Sequence, residues 1–197
     1  MHSPYLYFAG ERLSRAELSA ARLDGHLVEV GDAYIPADAV ETRGLRAGSL
    51  VGLLGATLAA THLSAAWIHG ALPEPPSRHT VQRAVQRRVH RVPSHHIVYR
   101  DLQVAESDLQ RLGGVSVTSP VRTLADLTRV DDPLHRRVAQ SMIDSIPSIA
   151  TDAIVWLENH RSLPGKKDAL TYLRASAGGA PDPSAMTTSG RREIRRT

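Results

Sequence analysis

The sequence predicts an α+β fold: a short helix-and-hairpin unit first, then a mixed α/β region with a small basic sheet, then a helical C-terminal part. Three observations predict it. A capped amphipathic stretch followed by glycine and two β-prone runs fills residues 13–35. An arginine-rich, β-prone segment follows a proline cluster in the middle of the chain. Beyond Ser119-Pro120 the apolar spacing turns helical and stays so to Arg174.

Leu13–Leu23 reads L-S-R-A-E-L-S-A-A-R-L, and Leu13, Ala16, Ala20 and Leu23 share one helical face, with Leu18 flanking it. Ser14 suits the N-cap, and Glu17 three residues on completes a capping box. Gly25 stands where a glycine ends a helix. Leu27–Val30 and Ala33–Ile35 are short β-prone runs around Gly31-Asp32, a two-residue turn signal. Helix, glycine, hairpin is the order of a recognition helix and its wing, so residues 1–42 are expected to form a short winged helix-turn-helix.

After Pro36 a helix is expected over Leu45–Leu58 and another over His62–His69, ending at Gly70. Leu72–Ser77 carries Pro73, Pro75 and Pro76 and cannot be helix interior. Val81–Val92 and Ile97–Leu102 read as strands or a ribbon pair bent at Pro93-Ser94, with Val89, Val92, Ile97 and Val98 apolar and Arg and His facing out. Leu109–Leu112 leads through Gly113-Gly114 to a strand at Val115–Thr118. Ser119 is an N-cap with Pro120 at the first helical position, and Val121, Leu124, Ala125 and Leu127 pack that helix. Arg122 can pair with Asp126 at i,i+4, or Asp126 can turn inward to hold backbone amides. Helices at Leu134–Ser145, at Thr151–His160 (Thr151 as cap; Ile154, Val155 and Leu157 inward) and at Lys166–Arg174 complete a second domain over residues 43–175. Residues 176–197 form a tail too poor in apolar side chains to fold alone.

Of the 197 residues, 42% are hydrophobic but only 4% aromatic, so Leu, Val, Ala and Ile must fill the core. Cysteine is absent, which excludes disulfides and thiolate metal sites and suits a reducing cytosol. No apolar run approaches the roughly 18–20 residues of a membrane span. The expectation is a cytoplasmic protein without a membrane partner. Net charge is +4, and it clusters: Arg78, Arg83, Arg87, Arg88, Arg91 and Arg100 occur with no acid between Arg78 and Arg100. If that segment is a strand, Arg83, Arg87 and Arg91 lie on one face. Such a face can follow a DNA backbone, meet an acidic protein surface, or simply solubilise the fold. On the first helix, Arg15, Ser19 and Arg22 share the polar side; with Ser14 and His26 they are the candidate DNA contacts.

Other chemistries find little support. No P-loop, dinucleotide glycine motif or nucleophile elbow is present. The acids are scattered: Asp131-Asp132 and Glu106/Asp108 read as helix-start and loop residues. His79, His90, His95 and His96 do not make a zinc set, because adjacent His95 and His96 on a strand point to opposite sides. His62 and His69, seven apart, share a helix face and read as buried or half-buried histidines with backbone partners. No enzymatic activity, metal or cofactor is expected.

Ser64-Ala65-Ala66 with His69-Gly70 resembles the S-A-A-x-x-H/W-G helix of the AbiEi-type antitoxins and transcriptional regulators of actinobacteria. Val117-Thr118-Ser119-Pro120 with Arg122-Thr123-Leu124-Ala125-Asp126-Leu127 is similar to that family's V-T-S-P-x-R-T-L-x-D-L segment. Order and spacing agree over Leu13–Arg129. The resemblance implies an antitoxin that neutralises a cognate nucleotidyltransferase-like toxin, with the C-terminal domain the part that faces it. It also implies repression of the shared operon through a winged helix that binds operator DNA. The chain departs from the family in two ways. Only Met1–Gly10 precedes the first helix, where an extra helix is usual, and the wing carries Glu29 and Asp32 where a phosphate-gripping wing would carry Lys or Arg. A stand-alone winged-helix regulator and a pure interaction module that has lost DNA binding are the alternatives. Homo-oligomerisation through the helical region stays open.

Overall fold

A computed structural model describes residues 3–89, 95–160 and 162–178 and shows an α+β fold, with helices in chain order α1 to α8 and strands β1 to β7. The N-terminal unit is α1 (Arg15–Leu23) followed by the hairpin β1 (Leu27–Val30) and β2 (Ala33–Pro36). The capping box is present. Ser14 Oγ accepts from the Glu17 N–H at 3.2 Å, and the Glu17 carboxylate accepts the Ser14 N–H at 2.7 Å. Gly25, at φ +77°, closes the helix, with the His26 N–H reaching Ala21 O and the Gly25 N–H reaching Arg22 O. The helix is turned differently from the expected face. Leu18 is its one buried residue, while Ala16, Ala20 and Leu23 (80% exposed) face out. A nine-residue helix resting on a two-stranded hairpin has room to bury one large side chain, and Leu18 takes that place. Among the described residues no other helix precedes the hairpin.

The expected Leu45–Leu58 helix is two short ones, α2 (Arg43–Ser49) and α3 (Val51–Leu54), stopped at Gly55 with φ +56°. Its last residue instead opens a strand that the sequence did not suggest, β3 (Leu58–Ala60), which is the centre of the main sheet. The remaining strands are β4 (His79–Arg83), β5 (Ile97–Gln103), β6 (Leu109–Leu112) and β7 (Val115–Thr118), in the order β5-β4-β3-β7-β6. β3 runs parallel to β7 and antiparallel to β4. β4 and β5 are parallel rather than a bent ribbon. β4 ends at Arg83, so Arg87 lies beyond the strand and does not share a strand face with Arg83. Arg91, His90, Val92 and the Pro93-Ser94 bend lie outside the described residues.

α4 (His62–His69) and α5 (Pro120–Thr128) follow the two parallel strands, and α6 (Pro133–Ser145), α7 (Ile149–Asn159) and α8 (Lys166–Gly178) pack around α5. α7 starts two residues before the expected Thr151 cap, and Val155 points outward at 51% exposure. α8 continues past Arg174 to Gly178; the rest of the expected tail, with Arg191–Arg196, lies outside the described residues. Two cores result. Hairpin residues Val30, Ala33 and Ile35 join Leu45, Leu50, Trp67, Val81 and Val117 in the first. Leu124, Leu127, Met142, Ile149, Leu157 and Leu173 fill the second. α4 serves both, giving Trp67 and Ile68 to one and Ala66 to the other.

Candidate functional site

The two segments that carry the family resemblance come together at the ends of β3 and β7. Ser119 caps α5 by accepting the Arg122 N–H at 3.3 Å, with Pro120 at its first position. His69 Nε2 lies 2.7 Å from Thr118 O, and because a carbonyl only accepts, Nε2 carries the proton. Thr118 Oγ1 is 2.8 Å from Thr123 Oγ1, and the Thr123 hydroxyl reaches Thr118 O at 3.2 Å. Ser64 Oγ accepts the Thr80 N–H at 2.9 Å and meets His79 Nδ1 at 3.2 Å. Ala65 is fully buried, and Gly70 sits at φ +93°, ending α4. Every residue of the expected motif set therefore has a packing or capping place.

Below this junction lies a buried ionic network. Arg122 Nε bonds both Asp126 carboxylate oxygens at 3.0 Å, so Asp126 pairs at i,i+4 and holds no backbone amide. Arg129 bonds Asp126 as well. Arg122 also reaches Asp108 Oδ2 at 2.8 Å, and the Trp156 indole N–H donates to Asp108 Oδ1 at 2.8 Å. The Trp156 ring lies 4.8 Å from the Arg122 guanidinium and stacks on His160 at 3.8 Å. Asp126 is fully buried and Asp108 nearly so. The loop reading of Asp108 is thereby corrected: it ties a 3₁₀ turn (Glu106–Asp108) at the sheet edge to α5 and α7. Sequence alone had no signal for it, since its partners lie 14 and 48 residues away. With both carboxylates bound by guanidinium or indole groups, this network orients elements; it offers no free base.

His62 occupies an unusual place. It opens α4 at φ +50° and is 2% exposed, with Nδ1 2.9 Å from Thr61 Oγ1 and its ring edge-on to His135 at 6.5 Å. Its partner is thus a side-chain hydroxyl, not the backbone group expected. Burial pushes its pKa down to about 4, a shift that Asp126 opposes and Arg100, Arg129 and His135 reinforce. Burial also lowers His69 and His79. A depressed folded pKa means that the unfolded chain binds the proton more readily. The His62 contribution is fully present above pH 6.5 and is lost as pH falls toward 4. Unfolding free energy should therefore drop across that window, by on the order of 3 kcal/mol from His62 alone. Urea melts of wild type and His62→Gln from pH 7 to pH 4 check this, and parallel curves would refute it.

The basic segment is partly committed to internal contacts. Arg78 donates to His95 O and Ile97 O and so ties β5 to the start of β4. Arg83 Nε stands 2.7 Å from Asp101 Oδ1, an ion pair too bent for a hydrogen bond, while its Nη1 donates to both Val85 O and Gln86 O. The Tyr99 hydroxyl donates to Asp101 and, with Arg83 and Arg88 nearby, holds that carboxyl below its usual range. Arg88 is 77% exposed and only 3.8 Å from Asp101; Arg87 and Arg100 are exposed. His95 and His96, expected on opposite sides of a strand, lie in a turn with rings 3.9 Å apart. Among the described residues no three metal-ligating side chains converge.

On the N-terminal unit, Ser14 is committed to its cap and Arg22 stands 3.6 Å from Glu29. Arg15 and Ser19 line a shallow hollow of about 390 Å³ together with Glu29 and Asp32 of the hairpin. His26 is exposed beyond the helix end. Two carboxylates thus share the surface that a phosphate would approach. No helix of the described chain is long and apolar enough to cross a membrane. No known family model matches the sequence, and no curated protein matches it. Among solved structures, the chain is similar to the crystal structure of the RV2827C protein from Mycobacterium tuberculosis, at 17% identity and a TM-score of 0.48, over 87% of this chain and 67% of that one.

Proposed function

We propose that this chain is a non-enzymatic binding protein of the AbiEi antitoxin type, neutralising a nucleotidyltransferase-like toxin by direct contact through residues 43–175. The observation that supports it is the meeting of the two family-like segments. His69 of one bonds Thr118 of the other across 49 residues of chain, and α4 packs on α5 between the two cores. Residues chosen only for their resemblance to one family thus form one packed unit.

The expected second arm is operator binding through Ser14, Arg15, Ser19, Arg22 and His26. The pairing of Arg22 with Glu29, and the carboxylates beside Arg15, favour instead the pure interaction module. Co-expression with the product of the adjacent gene tests the main reading. Growth rescue and co-elution on size-exclusion chromatography are expected. Unrelieved toxicity without a complex would overturn it. A mobility-shift assay on the promoter region over a salt series tests the second arm. Weak, sequence-indifferent retardation is expected, whereas specific retardation with a steep salt slope would restore the repressor.

A further inference from the structure

Two large apolar side chains that the fold leaves exposed, Tyr5 at 57% and Val40 at 79%, stand on one hollow rather than singly on the surface. They come from separate segments, the turn at residues 4–5 and the stretch between β2 and α2. The hollow has a volume of about 620 Å³, and Pro36 and Leu45 complete its apolar lining. Gly44 and Gly113 also face it, so part of its wall is bare backbone. That wall is fixed. Gly113 is pressed against the backbone of α2, and Leu45 belongs to the same core as the hairpin residues Val30, Ala33 and Ile35. Asp38 is the one charged side chain among the described residues of the lining. Its carboxylate has no ion-pair or hydrogen-bond partner among the described residues. Glu41 nearby in sequence is, by contrast, taken up by Arg46 at 2.6 Å.

We propose that this hollow binds a small organic cation, with an apolar body against Tyr5 and Val40 and a protonated amine turned to Asp38. Small-molecule sites have this size and make-up: a concave, mostly apolar lining with a few polar groups that set orientation. The unpaired carboxylate selects the sign of the charge, because an anion would meet Asp38 with no counter-charge on the lining. The exposed aromatic and branched side chains select the apolar body, since a fully polar ligand would leave both in water. The hollow spans the seam between the hairpin unit and α2, so its ligand touches both and should hold the first against the second. The site goes beyond the antitoxin reading and does not depend on it.

Backbone amide shifts of the full chain at pH 7 test it, with phenethylamine as the probe and phenethyl alcohol and phenylacetate as its neutral and anionic counterparts. Shifts should cluster at Tyr5, Asp38 to Val40, Thr42 to Leu45 and Gly113, with a dissociation constant in the millimolar range for so small a ligand. The alcohol should bind about fivefold more weakly, the scale of one exposed ion pair, and the acid more weakly still. Asp38→Asn should erase the preference for the amine and leave the alcohol's affinity as it was. Gly44→Leu should fill the hollow and weaken both ligands about tenfold or more. A Cβ at that position meets only Thr42 Oγ1, at 3.7 Å, and its φ lies outside the left-handed region, so the helix accepts the substitution. Val40→Ser, at an exposed position, repeats the test without entering the fold and should weaken both about threefold. Melting temperatures taken alongside show that the variants stay folded. No shifts up to the solubility limit, shifts scattered over the surface, equal binding of amine and acid, or a preference for the amine that survives Asp38→Asn would each overturn the proposal. So would affinities that neither Gly44→Leu nor Val40→Ser changes.

Discussion

Replacing Gly113 by alanine should lower stability by about 3 kcal/mol or more, because two costs fall on one atom. Gly113 sits at φ +53°, a backbone region that side chains disfavour. A Cβ there would stand 2.5 Å from Gly48 N and 2.8 Å from Gly48 Cα, and closer still to Gly44 O. All three are backbone atoms of α2, which cannot swing aside as a side chain can. Gly48 is itself closed in, since a Cβ on it would meet Leu6 Cδ1 at 2.7 Å. The β6–β7 turn is thus pressed against a glycine pair on α2, joining the edge of the sheet to the helix behind the hairpin. For a chain of this size each kcal/mol moves the melting temperature by roughly 2–4 °C, so a fall of roughly 6–12 °C is expected. Gly114→Ala is the control. It shares the positive φ but meets only Val51 Cγ2, at 4.0 Å, so its loss should be the smaller of the two. Equal melting temperatures for the two variants would refute the close approach.

Asp126→Asn should have a comparable or larger effect. The substitution keeps the shape and removes the charge that two arginines share. Their side chains are 12% and 14% exposed, so neither guanidinium regains full hydration. Stripping one partner from a buried ionic cluster typically costs about 3–5 kcal/mol, chiefly through the uncompensated charge left behind. Arg122 retains Asp108, which should keep the figure toward the lower end. Equilibrium urea denaturation at pH 7 measures it, and a loss below about 1 kcal/mol would show that the network relaxes without the acid. Asp108→Asn should weaken the same cluster less, since the Trp156 hydrogen bond can be kept by the amide oxygen.

Where the sequence was legible, the signal was short-ranged. The Ser14–Glu17 capping box and the Ser119-Pro120 start depend on residues three apart, and both stand where the spacing put them. The Arg122–Asp126 pair is one helical turn and could be read the same way. β3 could not. Leu58-Ala59-Ala60 is fully buried on both faces and too short to show alternation, so its three residues looked like the end of an Ala-rich helix. The parallel pairing of β4 with β5 was hidden for a related reason. A proline between two β-prone runs suggests a bend, and only tertiary packing distinguishes a bend from a crossover. On α1 the commonest apolar spacing pointed to Ala16, Ala20 and Leu23, whereas the hairpin had a place for Leu18. Among the candidate sites, the motif residues were found by resemblance, but Asp108 and Trp156, which complete their network from 14 and 48 residues away, carry no local pattern; Arg129, at i,i+3 from Asp126, was within reach of the same helical spacing. The Arg-rich run was visible as charge, while its division into internally paired Arg78 and Arg83 and outward Arg87 and Arg100 depended on where Asp101 folds.

The placement of β3 between β4 and β7 has a kinetic consequence. Ala60 pairs with Val81 on one side and with Val117 on the other. As the chain emerges from the ribosome, the first pairing can close early, but the second waits for β7 to follow. Until then the apolar centre of the sheet has an open edge, and a slow, long-range closure step is expected to dominate folding. The segment from α5 onward cannot settle before that closure, because its first helix is anchored on Thr118. For that time the buried central strand is expected to have one edge unsealed, and the last strand to join the sheet is the one that seals it.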